Sequence, residues 1–145
     1  MRALVQRSGK SSVVVENKTI GKINNGLVVL VGFTEGDDLE KIQYIVKKIV
    51  NLRIFDDENG VMNKSILDYG GDVLSISQFT LYADTKKGNR PSYINAMGGE
   101  EAIKLYEMFN EELSKHVNVE TGKFGAEMIV NITNDGPITI MLEKW

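Results

Sequence analysis

Two polar segments hold the residues best suited to chemistry in this chain, Ser77-Gln78-Phe79-Thr80 and Asn134-Asp135-Gly136-Pro137-Ile138-Thr139. The first closes the apolar run Val73 to Phe79, so its hydroxyls and carboxamide emerge where a buried strand gives way to a loop. The second holds one of only two prolines. Its Gly-Pro step opens an alternating stretch, with Ile138, Ile140 and Leu142 on one face and Thr139, Met141 and Glu143 on the other. A proline there removes a backbone donor, fixes φ and makes a cis peptide accessible. Groups of this kind polarise a carbonyl. Without a neighbouring base they do not make a strong nucleophile.

The rest of the chain narrows the chemistry further. There is no cysteine, hence no thiolate nucleophile and no thiolate zinc site. The single histidine, His116, falls at the end of a predicted helix, where a cation suits the helix dipole. Asp56-Asp57-Glu58 lacks the later glutamate of a calcium loop and reads as a charged turn. No GxGxxG or GxxxxGK[ST] segment is present to cradle a nucleotide phosphate. No metal and no cofactor are expected. What remains is backbone amides, hydroxyls and shape.

At 145 residues the chain reads as one domain, 1–145, able to bury roughly 68–70% of its unfolded surface without a metal or disulfide. Hydrophobic residues form 42% of it and charged residues 26%, an ordinary globular balance. The longest apolar run, Leu27 to Phe33, is far short of the about 20 residues that cross a bilayer. Met1-Arg2 leads straight into a predicted strand, without a secretory pattern. A cytoplasmic address and no membrane partner are therefore expected. The net charge of -3 is unhelpful for binding nucleic acid, but Lys86, Lys87 and Arg90 gather in one loop after the first polar segment. They read either as a solvated loop or as a contact with phosphate.

Positioning these segments falls to a mixed set of elements. Alternation and apolar runs predict strands near 2–7, 12–16, 19–23 and 26–33, then another over 72–79. A helix is predicted from Leu39 to Arg53, opened by Asp37 and Glu40 at capping-box spacing and striped by Leu39, Ile42, Ile45, Val46, Ile49 and Leu52. Asn59-Gly60 marks a hairpin between Arg53-Ile54-Phe55 and Val61-Met62. A second helix runs from Glu100 to His116, and strands near 126–133 and 137–144 finish the chain. Strands outnumber helices and include hairpins, which gives an α+β class.

Together SQFTL and NDGPIT resemble the bacterial D-aminoacyl-tRNA deacylases, which hydrolyse the ester between a D-amino acid and tRNA. The resemblance extends in order through Ala3-Leu4-Val5-Gln6-Arg7, Arg53-Ile54-Phe55, Met62-Asn63, Gly88-Asn89-Arg90-Pro91-Ser92 and Thr121 to Met128. It implies mixed twisted sheets forming a barrel-like core, with two main helices packed outside. It also implies that Ser77, Gln78, Phe79 and Thr80 line the catalytic site, with the backbone around Phe79 and Thr80 holding the scissile carbonyl. Hydrolysis then leans on the 2′-hydroxyl of the terminal adenosine; Thr80 as nucleophile is the alternative.

The same resemblance assigns Arg7, Phe124, Met128, Asn134 and Thr139 to the substrate pocket, Arg7 as a brace for the Gly-Pro segment. From residue type alone, Phe124 and Met128 read as core packing and Arg7 as an exposed strand arginine. Lys86, Lys87 and Arg90 become contacts to the acceptor end of an aminoacyl-tRNA. Gly136-Pro137 is implied to be cis and to reach the partner's site in a homodimer, rejecting L-residues with two rigid carbonyls. No DNA partner is expected. A noncatalytic nucleic-acid-binding module on the same fold is the second reading.

Overall fold

Burial of alternate residues decides how the strands stack. The computed structural model describes residues 1–145. Strands β1 (Arg2–Ser8), β2 (Ser11–Val15), β3 (Lys18–Ile23) and β4 (Gly26–Gly32) come first, followed by helix α1 (Leu39–Asn51). A short hairpin of β5 (Phe55–Asp56) and β6 (Met62–Lys64) leads to α2 (Ile66–Tyr69) and β7 (Asp72–Ser77). A 3₁₀ turn (Phe79–Tyr82), α3 (Gly99–Ser114), β8 (Val119–Thr121), β9 (Ile129–Asn131) and β10 (Asn134–Glu143) complete the chain.

Five strands make a mixed sheet in the order β10-β1-β4-β7-β8. β1 is antiparallel to both of its neighbours, while β4, β7 and β8 run parallel. One face carries Ala3, Val5, Leu27, Val29, Val31 and Val73, all buried under Ile42, Ile45 and Ile49 of α1 and Phe109 and Leu113 of α3. The other face carries Val28, Leu74 and Ile76, packed on Val13 and Ile23 of a second sheet ordered β3-β2-β9. β4 is buried on both sides, which explains its unbroken apolar run. The α+β class holds, with twisted sheets and the two long helices outside. The two sheets pack face to face and do not close into a barrel.

The first four strands lie within one residue of their expected bounds at each end. Elsewhere local chemistry moves the ends. The N-cap of α1 is Asp38, whose carboxylate accepts Lys41 N–H at 3.0 Å. Asp37 is turned inward, accepting Thr34 N–H at 2.8 Å and the Met1 ammonium at 2.9 Å. α1 stops at Asn51, because Leu52 is already extended, and Leu39 at its start is exposed. The strand expected over 72–79 ends at Ser77, where the chain tightens into the 3₁₀ turn. Only Ile129–Asn131 of the expected 126–133 strand pairs, against β2, whereas the last strand starts early, at Asn134. α3 spans Gly99–Ser114 and leaves His116 exposed just beyond it.

Candidate active site

At the C-terminal ends of β4 and β7 lies a cavity of about 300 Å³. Ser77, Gln78 and Phe79 form one side of it; Phe124, Met128 and the turn Gly125-Ala126 form the other. Two distant stretches of sequence thus meet across one opening. Gly122 makes that approach feasible, since a Cβ there would stand only 2.6 Å from Met128 Sδ. Beneath lies a polar clamp on β7: Tyr106 Oη donates to Ser75 O at 2.7 Å, and Gly122 N–H donates to the same carbonyl at 3.2 Å. Ser75 Oγ adds a 2.6 Å bond to Asn110 Oδ1. Burial raises the Tyr106 phenol above its usual value, so it stays a neutral donor.

The main chain tightens where β7 ends at the cavity. Gln78 N–H donates to Val31 O at 2.7 Å, the last bond of β7 to β4. Leu81 N–H and Ala83 N–H then close back onto Gln78 O and Thr80 O at 3.2 and 3.1 Å. Phe79 and Thr80 are the first two residues of this turn, where a helix leaves its leading N–H groups without an internal acceptor. No loop or turn bond engages either amide. Phe79 lines the cavity, whereas Thr80, the next residue of the turn, is not among the lining residues.

Thr80 offers its hydroxyl oxygen to Gln78 Nε2, and no acidic or basic group bonds to it. Gln78 thereby fixes Thr80 instead of deprotonating it.

Asn134, Asp135, Gly136, Pro137, Thr139 and Arg7 assemble elsewhere. Asn134 Nδ2 donates to Arg7 O at 3.1 Å and to Ile138 O at 3.0 Å, bridging the turn that holds Gly136 and Pro137. Its Oδ1 accepts Thr139 Oγ1–H at 3.1 Å, and Thr139 in turn accepts Gln6 Nε2–H at 3.2 Å. Arg7, only 11% exposed, donates to Ile54 O at 2.8 Å. Its Nε lies 3.1 Å from Asp135 Oδ2, an ion pair by distance in which the N–H is not aligned on the oxygen. The Gly136–Pro137 bond is cis, and both residues are exposed. Gly136 sits at φ +120°, and a Cβ there would meet Ile138 N at 2.9 Å, so only glycine fits without strain.

Register separates the two assemblies. Thr139 pairs with Gln6, Gln6 with Val28, and Val28 with Leu74. From that row Pro137 lies two residues one way and Ser77 three the other. The separation is about 17 Å along the strands and about 14 Å across them. Within one chain Gly136 and Pro137, with Arg7, Asn134 and Thr139, are thus at the opposite end of the sheet from the cavity.

Lys86, Lys87 and Arg90 are exposed in a loop whose neck is an antiparallel bridge between Asp84 and Ser92. None of the three forms an ion pair with a carboxylate. Asp57 caps the β5–β6 hairpin instead of joining an ion site: it accepts Asn59 N–H and Val61 N–H at 2.8 and 3.1 Å. The backbone bonds from Val61 and Asn59 hold its carboxyl below the usual range. Met97 and Ala102 also line the cavity, although nothing in their local sequence marks them.

Residues 4–143 match the family model described as D-Tyr-tRNA(Tyr) deacylase. A D-aminoacyl-tRNA deacylase from Clostridium novyi (strain NT) is 56% identical over 99% of this chain and 97% of its own. One from Clostridium botulinum (strain Langeland / NCTC 10281 / Type F) is 57% identical with the same coverage. A solved structure described as c-Myc DNA Unwinding Element Binding Protein superposes with a TM-score of 0.94 at 42% identity over 99% of both chains. Another, described as a probable eukaryotic D-amino acid tRNA deacylase, gives 0.83 at 17% identity over 97% of both, a likeness of fold. On this fold, this length and these matches, the chain belongs to the D-Tyr-tRNA(Tyr) deacylase family.

Proposed function

We propose that the protein hydrolyses the ester joining a D-amino acid, or glycine, to the 3′ end of tRNA. The observation that carries this reading is the cavity that brings Ser77, Gln78 and Phe79, at the opening of the 3₁₀ turn, together with Phe124 and Met128. The N–H groups of Phe79 and Thr80 are the donors we assign to the ester carbonyl. An aminoacyl ester is already activated, so donors on its carbonyl oxygen supply much of what is needed, about 2.7–4 kcal/mol for one donor in a comparable site. Phe124 and Met128 receive the terminal adenosine, whose 2′-hydroxyl assists attack. Ser77 and Gln78 shape the wall, and Gln78 holds Thr80. Water adds to the carbonyl and its proton passes by way of the 2′-hydroxyl to the departing 3′-oxygen, releasing the free amino acid and tRNA. No protein side chain takes the proton.

Selection requires a second subunit. Gly136 and Pro137 are out of reach of their own chain's cavity, so in a homodimer they enter the partner's site. There their carbonyls stand where an L side chain would project, while a D side chain points away. Arg7, Asn134 and Thr139 keep that segment rigid, and Lys86, Lys87 and Arg90 meet acceptor-stem phosphates. The test is release of free tRNA from D-Tyr-tRNA and L-Tyr-tRNA by the purified protein. Rapid release from the D-ester alone is expected, and equal or absent release would overturn the reading.

A second reading, a noncatalytic nucleic-acid-binding module, draws on the 42% identical protein named for binding a DNA element. Binding to duplex or single-stranded DNA without deacylation would favour it.

A further inference from the structure

Phe79 is 51% exposed at the cavity's rim, and its ring packs edge-to-face with that of Tyr93, centroids 5.0 Å apart and planes inclined by 69°. Tyr93 is itself 41% exposed, and Ile94 beside it is 85% exposed. This apolar ledge lies between two openings. Phe79 and Met97 line the main cavity, whereas Ile94 and Met97 line an adjoining depression of about 330 Å³. Packing inside the chain does not use the outer faces of these side chains.

Charge around the ledge is asymmetric. On one side Ser92, the residue before Tyr93, forms the neck of the loop that carries Lys86, Lys87 and Arg90, cations with no carboxylate partner. On the other side Glu35 and Glu101 border the depression. A phosphate is drawn to the first side and repelled from the second. A neutral flat ring is tolerated between them, and aromatic faces bind any nucleobase with little preference for its identity.

We infer that Tyr93, Ile94 and the outer face of Phe79 form a stacking ledge for the unpaired base next to the terminal nucleotide of the RNA substrate. This rests on the proposed function and adds a second nucleotide subsite to it. The terminal nucleotide enters the cavity; its neighbour lies on the ledge, with its phosphate towards Lys86, Lys87 and Arg90. The ledge takes part in binding and does not touch the reacting atoms, so Tyr93 acts as a positioning residue.

The test uses the full-length protein and three substrates: D-Tyr-tRNA, D-Tyr-tRNA abasic at the penultimate nucleotide, and the D-tyrosyl ester of adenosine alone. Tyr93→Ala should raise KM for D-Tyr-tRNA by roughly five- to 150-fold, the range for removing one base stack, with kcat little changed. Tyr93→Trp should restore it. The abasic tRNA should bind more weakly by a similar factor with wild-type protein and no further with Tyr93→Ala, because the two changes remove the same interaction. The adenosine ester should be indifferent to Tyr93.

An equal loss on all three substrates, or additive losses for the variant and the abasic site, would overturn the ledge. So would a Tyr93→Ala protein whose only change is a weaker self-association, since the patch would then belong to a subunit interface. Failure of wild-type protein to hydrolyse any of the three esters would instead remove the proposed function itself.

Discussion

The carboxamide of Asn134 reaches across the Gly136-Pro137 step and donates to Ile138 O at 3.0 Å, so one side chain staples both ends of the exposed turn. The same nitrogen donates to Arg7 O and its oxygen accepts from Thr139, which ties the turn to β1 and β10 together. Asn134→Ala should therefore cost about 0.5–1.5 kcal/mol for each bond lost to Arg7 O and Ile138 O. Urea unfolding reads that loss. The ratio of D- to L-Tyr-tRNA hydrolysis should fall in the same variant, and an unchanged ratio would separate this frame from chiral selection.

If the main chain at Phe79 and Thr80 holds the carbonyl, Thr80→Ala should slow deacylation without abolishing it. His116→Ala should stay within a few fold of wild type, because His116 is exposed beyond the end of α3. A substrate ending in 2′-deoxyadenosine should react very poorly. A dead Thr80→Ala enzyme with a fully active deoxy substrate would make Thr80 the nucleophile. Single-turnover rates on the matched substrates decide between the two.

A filter that works by blocking an L side chain has nothing to block in glycine. Gly-tRNA should be hydrolysed at enzyme concentrations that leave L-Ala-tRNA intact. Each 1.36 kcal/mol of steric overlap is worth about tenfold in rate. Mixed dimers in which one subunit carries an altered Gly136 or Pro137 should lose selectivity in the other subunit's site. Sparing of glycine to the same degree as L-alanine would mean that the D side chain is recognised positively.

Replacing Lys86, Lys87 and Arg90 together with alanine should raise KM similarly for every tRNA. The slope of log affinity against log salt should flatten by about 0.7–0.9 for each phosphate no longer neutralised. A KM and slope equal to wild type would return these residues to solvent.

Tyr82 offers a check on the fold itself. Burial first, and then the charge of Asp37, push its phenol up from 10.0 to about 12, while Arg2 opposes the rise. Arg2 also stacks over the ring, 4.5 Å from its centroid. The folded state therefore holds the phenolic proton more tightly than the unfolded state. The stabilisation is complete below pH 10 and drains away as pH climbs through about 12. Tyr82→Phe should flatten thermal stability across that interval, and an unchanged alkaline slope would place the titration elsewhere.

Much of this architecture was legible in the residues. Apolar runs placed β1 and β4 without assigning their faces, and the stripe Ile42, Ile45, Val46 and Ile49 fixed the buried side of α1. Where the pattern misled, a neighbour competed. Asp37 and Asp38 are chemically equivalent caps, and only the tertiary pull of the Met1 ammonium and Thr34 N–H turns the first inward. The short α2 was not anticipated, although Ser65 and Asp68, which open it, stand at capping-box spacing. β8 is three residues long and is defined by pairing with β7, so its own sequence carries little signal.

The site shows the same division. Ser77, Gln78 and Phe79 were visible as a polar interruption at a strand end, and the cavity contains them. Their distance from Gly136 and Pro137 follows from strand order, which no local pattern encodes. Met97 and Ala102 reach the cavity only through the path of the chain between the 3₁₀ turn and α3.

If the N–H groups at Phe79 and Thr80 hold the scissile carbonyl, the way mutation can damage this protein changes too. A working group on a side chain vanishes with almost any codon change. One that belongs to the peptide unit is encoded equally by every amino acid except proline, which alone deletes it. Drift in the letters at these two positions leaves the donors in place so long as the turn keeps its shape. The inheritance of such chemistry would then rest on the geometry of the turn, and its weak point is the side chain that holds it, the carboxamide of Gln78 bonded to Thr80 Oγ1.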